Sequence, residues 1–368
     1  MRGLYIHIPF CVKKCSYCDF YSLAGGSELI ESYIEAVLSE CQGYVGASFQ
    51  TLYLGGGTPS LLGAKNLRKL IYSLRQSLDL SELTEATIEI NPESATLELL
   101  EAAREMGIDR VSVGVQSLSD YELESVGRVH RSAQAIGTIK RANDLGFRAI
   151  SADLIIGLPG QRWERLRTSL ETLTELGIKH LSLYCLSVEP DTPLSTNPPV
   201  DLPSDDEQVE IFDKARWFLV KRGFIHYEIS NFSLPGQECL HNLNYWRGGE
   251  YLGLGPAAAS HLKGKRFNNR PDLQAYLKDP TVLTEFVEVL SMQDKAAEEA
   301  MLRLRLLSEG LNIDELTRRF GYENVVDLID RLNSMSQSGS IIYNGSNYRL
   351  MPSRVLTSNP IFAEVLRS

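Results

Sequence analysis

Three cysteines near the start of the chain have the residue type and spacing to hold a metal cluster. Cys11, Cys15 and Cys18 form the pattern CxxxCxxC within YIHIPFCVKKCSYCDFY. Three thiolates can bind three irons of a [4Fe-4S] cluster and leave the fourth iron open to another ligand. A structural zinc site would need a fourth protein ligand, and no second CxxC or HxxxH pair follows. Ordinary buried thiols are the alternative, but Lys13 and Lys14 favour thiolates, so the sequence predicts a cluster.

A glycine run and several polar residues follow the predicted strands. GGGTP, residues 55–59, comes directly after TLYL, where glycine lets backbone groups approach a ligand closely. A tight turn is the alternative for this run. Glu89, Gln116 and Asp153 lie at or near the ends of later strands, and Arg128 follows in VGRVH. Each could be an ordinary surface or ion-pair residue, but the ends of successive barrel strands converge on one mouth, where we expect a site.

The elements that must position these residues alternate along most of the chain. Short β-branched or aromatic runs alternate with amphipathic segments from residue 4 to about 230, as in stacked βα units. The predicted strands are 4–10, 51–56, 86–91, 110–117, 148–158 and 180–187, with a further candidate at 224–230. The predicted helices lie near 29–42, 61–78, 96–106, 120–127, 132–145, 162–176 and 205–222. The pattern predicts an α/β fold, a partial (β/α) TIM-like barrel of about six βα units, because no eightfold repeat is visible.

The pattern changes from about residue 284. A long helix from Asp294, helices over 312–321 and 325–339 and a hairpin over 340–352 together give a winged-helix outline. Such a domain can bind DNA, but the acidic third helix and the negative net charge argue against that function. We interpret it as a lid or docking surface. The predicted domains are therefore 1–235, the barrel; 236–283, a connecting segment; and 284–368, a smaller C-terminal domain.

Composition limits the setting. The 368 residues include 37 basic and 47 acidic residues, for a net charge of −10, without a basic stripe for nucleic acid. Six irregularly spaced cysteines do not form a secreted disulfide framework, and no charged-then-apolar leader precedes them. No apolar run approaches the ~18 residues of a membrane span. We expect a cytoplasmic protein without an integral membrane segment; a homodimer is one oligomeric state that the sequence leaves open.

Several motifs occur together in a familiar order. The chain contains IHIPFC, YLGGGTP, EINPE, GVQS and DLIIGLP, and in this it resembles radical S-adenosylmethionine (SAM) proteins, and among them the oxygen-independent coproporphyrinogen III oxidase group. The resemblance implies that the three cysteines hold a [4Fe-4S] cluster, with the amino and carboxylate groups of S-adenosylmethionine on the open iron. It implies a cofactor pocket lined by Tyr5, Tyr17, Gly56, Gly57, Thr58, Glu89, Gln116, Arg128 and Asp153. An electron donor would reduce the cluster, which would then cleave the cofactor to a 5′-deoxyadenosyl radical.

Two features bear on which branch of that group the chain resembles. The oxidases carry a further cysteine two residues after the third ligand and a substantial N-terminal extension, whereas Phe20 stands here and the first ligand is already residue 11. The segment HNLNYW also resembles the HNxxYW motif of related heme chaperones, with matches at His241, Asn242, Tyr245 and Trp246. A neutral histidine can ligate heme iron and aromatic rings can flank a porphyrin. A core histidine with ordinary aromatic packing is the alternative, but the family context favours heme.

The resemblance therefore implies a heme chaperone that binds heme and transfers it to acceptor proteins. Its cofactors would be the [4Fe-4S] cluster, S-adenosylmethionine and heme. The alternative is a radical SAM oxidoreductase that acts on a tetrapyrrole. Whether the protein turns over a substrate, and whether heme is held covalently or axially, stays open at this stage.

Overall fold

A large, mainly parallel sheet lies at the centre of the computed structural model, which describes residues 1–281 and 284–367. The strands are β1 (Arg2–Ile8), β2 (Phe10–Cys11), β3 (Leu23–Ala24), β4 (Thr51–Gly56), β5 (Glu85–Ile90), β6 (Arg110–Gln116), β7 (Ala149–Ile156), β8 (His180–Cys185), β9 (Ile225–His226), β10 (Asn231–Ser233), β11 (Glu250–Leu254), β12 (Ala259–Leu262), β13 (Lys265–Asn269), β14 (Thr284–Glu288), β15 (Leu311–Asn312), β16 (Ile341–Tyr343) and β17 (Asn347–Leu350). The helices are α1 (Ile30–Cys41), α2 (Gly63–Ser77), α3 (Leu97–Glu105), α4 (Asp120–Ser125), α5 (Ser132–Asp144), α6 (Trp163–Glu175), α7 (Pro193–Thr196), α8 (Asp205–Val220), α9 (Leu240–Trp246), α10 (Leu273–Lys278), α11 (Met292–Leu304), α12 (Ile313–Phe320), α13 (Val326–Gln337) and α14 (Asn359–Val365).

The strand order defines a partial barrel. The sheet runs β14-β13-β12-β11-β1-β4-β5-β6-β7-β8-β10-β9, and β1 and β4 to β8 pair in parallel. Each of these six strands is followed by a helix before the next begins, which is the βα repeat. Among the described residues the two end strands, β14 and β9, do not pair with each other, so the sheet stays open. The predicted α/β fold with about six βα units is confirmed.

Alternation along the strands separates the core from the barrel interior. Leu4, Ile6 and Ile8 of β1 are fully buried in the apolar core shared with α1. The residues between them, Tyr5 and His7, point to the other side and form a hydrogen bond of 3.1 Å between the Tyr5 hydroxyl and His7 Nδ1. The period of two therefore packs helices outside the barrel and leaves polar side chains inside it.

The candidate strand at 224–230 differs from the expectation. Only Ile225–His226 is extended there, and it pairs with β10 in an antiparallel hairpin. β10 in turn pairs antiparallel with β8, so the parallel run ends at β8. Glu228 lies in the turn between the two short strands, where the amide of Asn231 donates to the Glu228 carbonyl at 3.3 Å. The chain reverses at that turn, which is why no further parallel strand forms.

The C-terminal elements follow the predicted order. α11 begins at Met292 rather than Asp294, because Ser291 caps it by accepting the Asp294 amide at 3.1 Å. α12, α13 and the β16–β17 hairpin follow, and β15 completes a small sheet. Strands β11 to β14, from the second half of the chain, extend the central sheet beside β1. The predicted domain boundaries stay predictions. Over the described ranges, none of the helices has both the length and the apolar character to cross a bilayer.

Candidate functional site

A cavity of about 410 Å³ opens where the parallel strands end. Its volume lies in the range of small-molecule sites, and its position is the mouth of the barrel. The three cysteines and most of the predicted cofactor residues meet there: Cys11, Cys15, Cys18, Tyr17, Gly56, Gly57, Thr58, Glu89, Gln116, Arg128 and Asp153. Residues far apart in sequence thus face one cavity.

The cysteine loop has polar neighbours at two of its sulfurs. Thr58 Oγ1 lies 3.6 Å from Cys11 Sγ and donates to it, and Arg128 Nη1 donates to Cys15 Sγ at 3.7 Å. Each donor thus makes a hydrogen bond to a sulfur that faces the cavity. Burial raises the pKa of the Cys18 thiol, and a bound metal would displace its proton. The loop is therefore suited to bind a metal centre.

Gly57 lets the cysteine loop and the glycine run pack together. A Cβ atom at this position would lie 2.7 Å from the Phe10 carbonyl oxygen and 3.1 Å from Cys11 Sγ. Its amide also donates to the Ile8 carbonyl at 2.7 Å. Any side chain here would push the two segments apart, so glycine is needed for the close approach.

Two partly buried carboxyl groups, those of Glu89 and Asp153, give the cavity its acidic character. Glu89 accepts a hydrogen bond from the Tyr53 hydroxyl at 2.8 Å and one from the Gly56 amide at 3.2 Å. Burial raises the pKa of Glu89 to about 7, and burial also raises the pKa of Asp153. The Asp153 carboxylate accepts from the Ser112 hydroxyl at 3.2 Å. A bound cation or a hydroxyl-rich ligand would compensate these charges.

Arg128 is held by a residue that the sequence analysis missed. Asn91 accepts from Arg128 Nη2 at 2.9 Å and donates to Thr58 Oγ1 at 3.0 Å. Arg128 Nη2 also donates to the Gly114 carbonyl at 2.9 Å. Asn91 follows Glu89 by two residues in EINPE, and side chains two residues apart on a strand point to the same side. This spacing is the sequence signal that could have identified Asn91 as a residue of the cavity. Its amide links the arginine to the threonine beside Cys11.

Two of the predicted residues have distinctive positions. Gln116 has a φ of 61°, a left-handed conformation that is uncommon for a residue with a side chain, where the pairing of β6 with β7 shifts register. It lines the cavity. Tyr5 does not: its hydroxyl donates to His7 Nδ1, and the His7 ring in turn contacts the Tyr21 carbonyl at 2.9 Å. Tyr5 is therefore linked through His7 to the chain just after the cysteine loop.

The HNxxYW segment lies away from this cavity. It forms α9, and His241 packs against Gly3 and Thr51 at the start of β1 and β4, the opposite end of those strands from the cysteines. His241 Nδ1 pairs with Thr51 Oγ1 at 2.8 Å and Nε2 with the Tyr245 hydroxyl at 2.8 Å. The side chain is 1% exposed, and burial lowers its pKa to about 3. The ring is neutral with both nitrogens occupied, so the prediction that it binds heme stays a prediction.

The other motif residues have separate surroundings. Asn242 borders a second, polar cavity of about 40 Å³ inside the barrel. The Tyr245 ring packs edge-on against Tyr251, with ring centres 4.5 Å apart. The guanidinium of Arg305 lies 5.1 Å from the centre of the Trp246 ring. The segment therefore joins the base of the barrel to the C-terminal helices, and heme contacts of Asn242, Tyr245 and Trp246 stay predictions.

Comparison with known proteins defines the class and then the family. The family model described as the Radical SAM superfamily matches residues 5–173. Heme chaperone HemW of Lactococcus lactis is 37% identical over 323 residues, which cover 87% of this chain and 85% of that protein. Heme chaperone HemW of Bacillus subtilis is 32% identical over 378 residues, with coverage of 100% and 99%. The chain therefore carries a radical SAM domain over residues 5–173 and belongs to the family of the HemW proteins.

A solved structure has the same fold. Escherichia coli coproporphyrinogen III oxidase, HemN, described as a radical SAM enzyme, superimposes with a TM-score of 0.86 at 20% identity, covering 99% of this chain and 89% of that one. At this identity the likeness shows the fold alone.

Membership of this family implies a [4Fe-4S] cluster and S-adenosylmethionine, and the site fits both. The three thiols face the cavity, with Thr58 and Arg128 beside two sulfurs, and Gly57 leaves the loop room. In the part of the chain that the structure describes, no three His, Cys, Asp or Glu side chains converge as the ligands of one metal ion do. The cysteines of a cluster each bind a different iron. The partly buried acids Glu89 and Asp153 suit a cationic sulfonium, which supplies a radical when its S–C bond is cleaved.

Proposed function

We propose that this protein is a heme chaperone that binds heme and delivers it to acceptor proteins. The observation that carries the proposal is its similarity, over most of both chains, to proteins named as heme chaperones at 32% to 40% identity. Phe20 supports the same conclusion, because it stands where the resemblance places a further cysteine in the oxidases and is 66% exposed. Heme-accepting proteins would be the partners.

The cofactor site would act through its own side chains. The three cysteines would hold the cluster, and the paired acids Glu89 and Asp153 would hold the ammonium or ribose hydroxyls of the sulfonium cofactor. Arg128 would face its carboxylate, since Asn91 and the Gly114 carbonyl fix the guanidinium beside Cys15.

Heme ligation by His241 would require one local change. The ring is already neutral, which is the form that binds iron. Its Nε2 atom would exchange the hydrogen bond to Tyr245 for the metal, while Thr51 would keep Nδ1 oriented. Because the side chain is buried, α9 would have to open for heme to reach it.

The test is an anaerobic heme titration of the reconstituted protein and of His241→Ala. The proposal predicts saturable binding in the wild type and a weakened or altered Soret band in the variant, with iron–sulfur content unchanged. His261→Ala is the matched control, because His261 is a half-buried histidine outside the motif. No saturable heme binding by the wild type would contradict the proposal.

Radical chemistry on a tetrapyrrole is the second candidate. The observation that favours it is the cavity at the barrel mouth, which is lined by eight of the nine residues that the resemblance assigns to the S-adenosylmethionine pocket, all but Tyr5. Coproporphyrinogen III under anaerobic reducing conditions distinguishes the two functions, because an oxidase would release carbon dioxide from it. The chaperone proposal predicts none.

A further inference from the structure

Tyr53 lies between the cofactor cavity and the HNxxYW segment and contacts a residue of each. Its hydroxyl donates to Glu89 Oε1 at 2.8 Å, and Glu89 lines the cavity. Its ring stacks on His241 with centres 5.1 Å apart and planes inclined by 29°. The rigid side chain of Tyr53 therefore connects the cofactor cavity with the HNxxYW segment.

The side chains around Tyr53 and His241 are closely packed. A Cβ atom on Gly55 would lie 2.9 Å from Tyr53 Cε1, and one on Gly3 would lie 2.9 Å from His241 Cε1. Glycine at both positions lets the rings pack against the backbone, Tyr53 against its own strand β4 and His241 against β1. In such close packing a shift of one ring is transmitted to the next rather than absorbed.

The same two strands hold both ends of the connection. β4 carries Thr51, which binds His241 Nδ1, and Tyr53. β5 carries Glu85 and Glu89, and Glu85 Oε1 accepts the His241 backbone amide at 3.0 Å. His241 is thus held through its ring and its backbone by strands that end at the cofactor cavity.

We propose that Tyr53 is a positioning residue that couples occupancy of the cofactor cavity to heme binding at His241. A ligand that engages Glu89 competes with or reorients the carboxylate that holds the Tyr53 hydroxyl, and the ring moves against His241. This inference rests on the proposed function. Coupling is reciprocal, so heme must alter cofactor affinity by the same factor. One hydrogen bond predicts a change of about two- to tenfold.

The test is a double titration. The heme Kd is measured on anaerobically reconstituted protein with and without saturating S-adenosylmethionine, for the wild type, Tyr53→Phe and Tyr72→Phe. Phenylalanine keeps the ring on His241 and removes the hydroxyl, whereas Tyr72 is an exposed tyrosine of α2. Wild type and Tyr72→Phe should show the two- to tenfold difference, and Tyr53→Phe should show equal heme Kd values in both conditions. A wild-type ratio of one, or an unchanged ratio in Tyr53→Phe, would overturn the coupling.

A second readout works without heme. In protein labelled at histidine Cε1, the His241 NMR signal, assigned by its loss in His241→Gln, should shift when S-adenosylmethionine is added to the wild type. Tyr53→Phe should lack that shift. This pattern without any heme binding would contradict the proposed function yet support the coupling, and an unresponsive His241 signal would overturn the coupling itself.

Discussion

Substitution of Gly57 by alanine tests whether the cysteine loop and the glycine run form one cofactor site. The new Cβ would lie 2.7 Å from the Phe10 carbonyl oxygen, 3.0 Å from the Ile8 carbonyl oxygen and 3.1 Å from Cys11 Sγ. All three distances are inside the 3.4 Å at which ordinary contacts begin, and two of the neighbours are backbone atoms. The loop must therefore move away from the strand end.

The size of the effect follows from overpacking. Extra atoms in a closely packed site cost about 1–3 kcal/mol. If the overpacking destabilises the cofactor-binding conformation of the site by that amount, affinity for S-adenosylmethionine falls roughly 5- to 150-fold. The assay is equilibrium binding of the cofactor to anaerobically reconstituted protein, with iron content measured on the same sample.

Gly43→Ala is the matched control. Gly43 lies in a short 3-10 helix after α1, and a Cβ there would meet nothing within 4 Å. This variant should bind cofactor and iron as the wild type does. Wild-type affinity and iron content in Gly57→Ala would refute the reasoning, because the strand end would then not be in contact with the cluster loop.

Other substitutions probe the remaining parts of the site. Cys15→Ser should abolish the visible absorption of the cluster, since three thiolates are needed to hold it. Iron analysis checks this prediction, and an unchanged iron content would contradict the assignment of the three cysteines as cluster ligands. Because burial raises the pKa of Glu89 to about 7 and a cation binds the carboxylate, S-adenosylmethionine affinity should rise from about pH 6 to 8. Glu89→Gln should bind weakly and without that rise; the same rise in the variant would assign it to another group. Tyr245→Phe frees Nε2 of His241 and should raise heme affinity by about two- to tenfold in a spectral titration; weaker binding would place the iron elsewhere.

Local sequence patterns predicted several of the residues that line the cavity. The spacing of the cysteines and the polar residues at strand ends are short-range signals, and parallel strands bring their ends together regardless of the loops between them. Glu89, Gln116 and Asp153 accordingly face one cavity with the cysteine loop. The order of strands and helices was equally visible, because each element has its own periodicity.

Long-range packing decided what the sequence did not predict. The spacing from Glu89 could have identified Asn91 as a residue on the cavity side, but its bridge between Thr58 and Arg128 joins two different loops and depends on the folded structure. Tyr5 faces His7 rather than the cavity because of its place along β1. The burial of His241 likewise depends on how the seven-residue helix α9 packs beneath β1 and β4.

The most direct test of the chaperone proposal is one anaerobic sample of reconstituted protein, titrated with heme and then assayed with coproporphyrinogen III. Heme binding should saturate, and no carbon dioxide should be released under reducing conditions with S-adenosylmethionine present. Carbon dioxide release without saturable heme binding would contradict the proposal and assign the chain to tetrapyrrole oxidation.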